Sequence, residues 1–314
     1  MKQFFKTVFA SLVGTLLAFV VAVFILIGIL VAMVASAGNE EPEEIADKSI
    51  LKLNLGYEIP ERTLKDPFSG ISFSGFEGKK QLGLNDILAV IKKAKADPKI
   101  KGIYLDVSSI PAGFAMLEEI RTALIDFKTS KKFVVAYGEI ITQSGYYVAS
   151  VADKVYLYPD GLLEFRGFSS QVTFIKGALE KLEIEPQIIK VGTFKSAVEP
   201  LFLDKMSDAN RKQVTVYMGS LYDHFLDEIS ISRKINRDSL FAIANELKVQ
   251  EAPQAVTYKL ADGIKYYDEV QKELKQRSGI EAKQNLRMVD MEKYAIDEDE
   301  NNKSTHKIAL IYAS

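Results

Sequence analysis

The sequence predicts an α/β protein, a mostly parallel sheet with flanking helices, carried behind one transmembrane helix. Three observations predict it. Between Leu84 and Val191, short apolar runs alternate with stretches of helical periodicity, which is the pattern of successive βα units. Those runs are apolar almost throughout, as in strands buried on both faces of a parallel sheet. From Val8 to Ala35, 28 residues pass without a charge, and a bilayer core needs only about 20.

The elements follow in chain order. Residues 1–7 form a short N-terminus with Lys2 and Lys6, and residues 8–36 form the anchor. Glu40, Glu41, Glu43 and Glu44 follow it, so the positive-inside bias puts the N-terminus in the cytoplasm and the remainder across the membrane. Ala35-Ser36-Ala37 resembles a signal-peptide cleavage site. Signal h-regions run about 7–15 residues, however, and the length of this run favours an uncleaved anchor. Residues 37–48 read as an acidic stalk. Ile50–Leu55 is a strand, and residues 60–82, with Phe68, Phe73 and Phe76, are a long loop. Gly75–Lys79 has a phosphate-loop flavour but lacks the glycine and Lys-Ser/Thr spacing that would cradle phosphates.

From Leu84 the pattern becomes regular. Leu84, Ile87, Leu88 and Ile91 recur at helical spacing until Asp97-Pro98 stops them. Gly102–Val107 is a buried strand, Met116–Phe127 an amphipathic helix, and Phe133–Tyr137 a third strand. A short helix near Tyr146–Ala152 leads to strand Lys154–Tyr158, helix Phe174–Leu182 and strand Gln187–Val191. Beyond that the chain reads as mainly helical, over Asp208–Ile229, Arg237–Leu247 and Tyr266–Gly279. The run 297–302 is charged and linker-like, and 307–312 is a new buried-strand pattern that resembles Ile50–Leu55. The expected organisation is one repeat over 49–296, with 297–314 a linker and the first strand of a truncated second repeat.

Composition removes several function classes. The net charge of −2 leaves no electrostatic footprint for nucleic acid. With no cysteine there are no disulfides, thiolate nucleophiles or zinc–thiolate sites. Only His224 and His306 are available to a metal site or a Ser-His-Asp triad.

Three stretches could carry chemistry. The phrase 191-VGTFKSAVEPL-201 sets Lys195 among apolar and small residues. A lysine acts as a general base only when neutral, which requires an environment that lowers its pKa from about 10.4. Val191, Gly192, Phe194, Ala197, Val198 and Leu201 could supply an apolar wall, and Thr193 or Ser196 a hydroxyl to orient the amine. Glu199, if close, would favour the charged form. On spacing alone a solvated or salt-bridged lysine is the commoner outcome. In 142-TQSGYYVAS-150, Ser144 stands at a strand-to-helix turn, where it could be a nucleophile or simply cap the helix. The loop 108-SSIPAGF-114 could offer backbone N–H groups to an oxyanion, or be only a loop.

Together these phrases resemble the long, two-repeat form of the signal peptide peptidase (protease IV) family, and the likeness runs over essentially everything after the anchor. The resemblance implies a crotonase-like α/β fold and a membrane-anchored bacterial serine peptidase that uses a Ser–Lys dyad. Carried over, Lys195 takes the place of the general base. The family's nucleophile stands in a Ser-Gly-Gly-Tyr-Tyr type phrase, which here puts Gln143 in the serine position and Ser144 in that of the first glycine. Pro111-Ala112-Gly113 likewise falls where the catalytic repeat has a Ser-Pro-Gly-Gly oxyanion loop. The implied nucleophile is therefore a serine of a second repeat, and these 314 residues alone would be inactive. Also implied are peptide substrates, namely cleaved signal peptides, a homo-oligomer, no cofactor, and an inner-membrane location with the catalytic part on the periplasmic side. The alternatives are a non-catalytic, membrane-tethered scaffold of the same fold and an acyl-CoA enzyme of crotonase type.

Overall fold

Successive apolar runs pair side by side to make one six-stranded sheet. The computed structural model describes residues 1–37, 45–63 and 81–294. Outside them fall most of the expected stalk, the loop centre with Phe68, Phe73, Phe76 and Gly75–Lys79, His306, and the runs 297–302 and 307–312. Helix α1 (Lys2–Ala37) contains a 28-residue stretch, Lys2–Ile29, long and apolar enough to cross a membrane. Strand β1 (Ser49–Asn54) is followed by α2 (Leu84–Ala96), β2 (Ile100–Asp106), α3 (Phe114–Lys128), β3 (Phe133–Ile141), α4 (Gln143–Ala149) and β4 (Lys154–Leu163). All strand pairings are parallel. The sheet is thus wholly parallel, where the sequence reading had it mostly so.

Side-chain alternation explains why the strands look uniformly apolar. Leu51, Leu53, Ile103, Leu105, Val134, Ala136, Val155 and Leu157 face the main core. Ile50, Tyr104, Val135, Tyr137 and Tyr156 face a second, smaller core on the opposite side. Both faces are covered, so no position on the central strands needs to be polar. The second face is covered by α10 (Tyr267–Ser278), whose Val270 and Leu274 pack on it.

The chain reaches α10 by a long excursion. After β4 come α5 (Lys176–Lys181), α6 (Glu199–Phe202), α7 (Asp208–Arg233), α8 (Arg237–Asn245) and α9 (Ala252–Thr257). Strand β5 (Gly263–Ile264) then joins the edge of β4. Helix α10 recrosses the sheet, and β6 (Met288–Asp290) pairs with β1 at the far edge, giving the order β5-β4-β3-β2-β1-β6. Strands of two and three residues are too short to leave a period in the sequence, and both were missed.

One expected strand does not form. Gln187–Val191 has no ladder partner and is irregular, with Ile189 94% and Val191 83% exposed. The run has strand-like composition, but a strand exists only by pairing and packing with neighbours. Helix α5 is also shorter than expected. Glu183 takes a left-handed conformation at φ 56°, and Ile184 N–H turns back to the Leu179 carbonyl at 2.9 Å, which ends the helix.

The carboxyl ends of β2 and β3 bring two of the singled-out stretches together. Thr142, just before α4, donates its N–H and hydroxyl to the Ser108 carbonyl at 2.9 and 3.1 Å. A Cβ on Gly145 would meet that carbonyl oxygen at 2.8 Å, so the close approach requires glycine. Thr142 is also the cap of α4, its hydroxyl oxygen accepting from Gly145 N–H. The capping role considered for Ser144 therefore falls to Thr142, because Ser144 already lies inside the first turn.

Two predictions follow from these contacts. Thr142→Ala should lower stability by about 1 kcal/mol, and Ser144→Ala by much less, in urea titrations of both variants. The second concerns Glu273 of α10, which is partly buried and accepts hydrogen bonds from Lys265, Tyr156 and Arg277. Burial pushes its carboxyl up, yet these donors together win and hold it down to about 2. A lowered carboxylate stabilises the fold fully above its unfolded value of 4.5 and loses that effect as pH falls toward about 2. At about 1.4 kcal/mol per unit, the loss is on the order of 3 kcal/mol. Urea midpoints at pH 6 and pH 2.5 should show that Glu273→Gln lacks this part of the acid sensitivity.

Candidate active site

Lys195 does not sit in the sheet domain. Between Phe165 and Phe225 no apolar side chain is buried, so residues 166–221 form an arm without a hydrophobic core. Its two buried residues are Glu199 and Asn210. Within the arm, Gly192 at φ +97° reverses the chain, a conformation that favours glycine. Lys195 N–H closes the turn on the Gly192 carbonyl at 3.4 Å, and Glu199 N–H bonds the Ser196 carbonyl at 3.0 Å.

The Lys195 side chain is exposed and lines an open groove of about 790 Å³. Val191 and Phe194 line it from the turn, and Lys212, Gln213, Val216 and Tyr217 from α7. Part of the expected apolar wall is present, although Ala197, Val198 and Leu201 lie outside the groove lining. Thr193 is in the lining and Ser196 is not. Among the described residues the Lys195 ammonium has no hydrogen-bond or ion-pair partner.

Glu199, four residues on, was expected to oppose a neutral lysine if it came close. It is instead occupied elsewhere. The carboxylate is fully buried and accepts from the Ser207 hydroxyl at 2.6 Å, Ser207 N–H at 3.2 Å and the Asn210 amide at 3.0 Å. Lys190 Nζ lies 3.6 Å away. The Ser207 hydroxyl above all, helped by Asn210 and Lys190, holds the carboxyl below the usual carboxylate range against the opposing effect of burial. Ser207 also caps α7 through Asn210 N–H. The cluster therefore fixes the Lys195 turn and the start of the groove-forming helix together. A Ser207-x-x-Asn210 cap after Glu-Pro was the signal in the sequence, and it was missed.

The second stretch lies apart from the arm turn. Ser144 is half-buried, with its hydroxyl 3.1 Å from that of Thr142, and no lysine or histidine among the described residues hydrogen-bonds to it. Gln143 accepts Arg166 N–H at 2.7 Å. In the neighbouring loop, Ala112 N–H is already bonded to the Ile110 carbonyl at 2.9 Å. Nothing lies within 4 Å of a Cβ added at Gly113, so that glycine is not sterically required. The structure thus brings 108–113 and 142–150 together, and no hydrogen bond joins either to Lys195. His224 Nε2 lies 3.3 Å from Glu118 and its ring stands edge-on to Phe114. This is a packing position on the helix surface.

Arg121, unremarked in the sequence, connects the parts. It has no exposed surface and donates from α3 to the Tyr147 carbonyl and Ser150 hydroxyl of the α4 segment, at 2.9 and 2.7 Å. It also donates to the Glu228 carbonyl of α7 at 2.6 Å and pairs with the Glu228 carboxylate at 3.2 Å.

Residues 126–281, from the last turn of α3 to just past α10, match the family "Peptidase family S49". The chain is 34% identical over 240 residues to "Protease 4" of Salmonella typhi, covering 74% of this chain and 38% of that protein. It is 31% identical over 254 residues to "Serine protease SPPA, chloroplastic" of Arabidopsis thaliana, covering 81% of this chain and 36% of that one. It is 24% identical over 267 residues to "Putative signal peptide peptidase SppA" of Enterococcus faecium, covering 80% and 77%. The chain thus spans little more than a third of the length of the first two. The groove and Lys195 both lie inside the span that matches peptidase family S49.

Proposed function

We propose that this chain is the base-donating repeat of a membrane-anchored Ser–Lys endopeptidase that degrades released signal peptides. The observation that carries the reading is Lys195, unpaired among the described residues in a largely apolar groove while the nearest acidic residue in sequence is bound by other groups. In the proposed reaction, neutral Lys195 takes the proton from a serine hydroxyl of a second repeat as that oxygen bonds to the scissile carbonyl carbon. The proton passes to the leaving amine as the C–N bond breaks, and water then hydrolyses the acyl-enzyme. Ser144 is not that serine on this reading, since its hydroxyl is paired with that of Thr142 and no base among the described residues bonds to it.

The finer fold assignment is crotonase-like, which the wholly parallel sheet with helices on both faces supports. The proposed setting is the bacterial inner membrane, N-terminus in the cytoplasm and arm on the periplasmic side, in a homo-oligomer. Helix α1 supports the anchor, and the apolar, open groove suits short apolar peptides leaving a bilayer.

In the full-length protein, Lys195→Ala should reduce peptide cleavage by about 10²–10⁴-fold, the usual contribution of a general base. Sedimentation velocity should show unchanged assembly, and Ser144→Ala should cleave normally. Unchanged cleavage in Lys195→Ala would overturn the assignment of the base.

A further inference from the structure

The arm has a polar centre where a domain would have an apolar one. Its buried residues are a carboxylate and an amide, Glu199 and Asn210, while Ile189, Val191 and Phe194 stand exposed around them. Burying a carboxylate is costly unless it is paired and hydrogen-bonded, and here three donors and one lysine satisfy it. The arrangement takes up the negative charge of Glu199, four residues from Lys195. We propose that Glu199 is a positioning residue for Lys195: Ser207, Asn210 and Lys190 hold its carboxylate so that it fixes the turn without pairing with the Lys195 amine.

This rests on the reading of Lys195 as the base, and it adds a reason for the Glu199 cluster that packing alone does not supply. A carboxylate within reach of an amine favours the protonated amine, and protonated lysine is neither base nor nucleophile. Glu199 N–H bonds the Ser196 carbonyl, so the carboxylate starts one turn from Lys195 and needs donors elsewhere to keep it there. Lys212 shares the groove with Lys195, Asp208 stands one turn before it in α7 and is not in the groove lining, and Asp204 pairs with Lys176 at 3.1 Å. Asp204 is held by Lys176, and Lys212, being positive, does not favour a charged Lys195. Glu199 is the carboxylate whose diversion matters.

The test is the rate at which acetic anhydride acylates Lys195 in the folded full-length protein, followed from pH 7 to 10 by peptide mass spectrometry. In Ser207→Ala/Asn210→Leu the carboxylate loses its donors. Lys195 acylation at pH 8 should then fall about fivefold or more, with the pH–rate curve moved to higher pH. Lys190→Met, a milder change at a part-exposed side chain, should move it the same way by about twofold. Adding Glu199→Gln to either variant removes the charge but keeps the shape, and should restore the wild-type curve. A curve unmoved by both releases, or a shift that Glu199→Gln does not reverse, overturns the proposal. Cleavage by Lys195→Ala is read separately, so a correct Glu199 result with unchanged cleavage would sink the base assignment and leave the diversion standing.

Discussion

Arg121 is the contact on which the spatial relation of the site's parts depends. Its guanidinium lies wholly inside the protein, between the α4 segment that follows β3 and the helix α7 that walls the groove. It also lies over the Tyr147 ring at 4.8 Å, whose hydroxyl is bound by Glu118 of α3. An uncompensated buried charge is strongly destabilising, so Arg121 of α3 is tolerated only while the α4 segment and α7 both present their acceptors. Each helix is thereby held in register with the other two. The lower half of α7 is anchored in the sheet domain, and its upper half projects as one wall of the groove.

That division of α7 explains the arm. Phe225, Leu226 and Ile229 are buried in the main core, whereas Val216 and Tyr217, about two turns earlier, are 64% and 61% exposed. The arm is therefore supported from below by a rigid helix and from within by the Glu199 cluster, but by no hydrophobic core of its own. Polar clusters fix geometry through directed hydrogen bonds rather than through buried area. This suits a segment that must hold a turn in place while leaving its apolar side chains available on the surface.

Much of this was legible in the sequence, for physical reasons that also mark where legibility stops. Strands β1 to β4 and helices α2, α3 and α10 were readable because each has an apolar period set by the faces it buries. Strands β5 and β6 are too short to have one. Gln187–Val191 failed in the other direction: its composition is that of a strand, but it pairs with no strand among the described residues. Thr142 was passed over as the α4 cap because Ser144 is equally good chemistry two residues later, and only the Ser108 carbonyl decides between them. Lys195 stood out by its apolar neighbours, and that impression survives in the groove lining. Glu199 looked like its antagonist because sequence distance shows proximity and not orientation. Arg121 left no signal at all, since nothing in a helical pattern marks an arginine whose partners lie 26 to 111 residues away.

A lysine base needs two conditions that conflict on an open surface. Its amine must be kept from carboxylates, and it must be shielded from water, because a solvated lysine is protonated at neutral pH. The Glu199 cluster meets the first condition within the arm. The second cannot be met by the arm, whose apolar residues face outward around an open groove. On the proposed reading, whatever brings the serine must therefore also bring the cover. The surface that completes the dyad would bury Val191, Phe194, Val216 and Tyr217 in the same step that desolvates Lys195. Assembly and activation would then be one event.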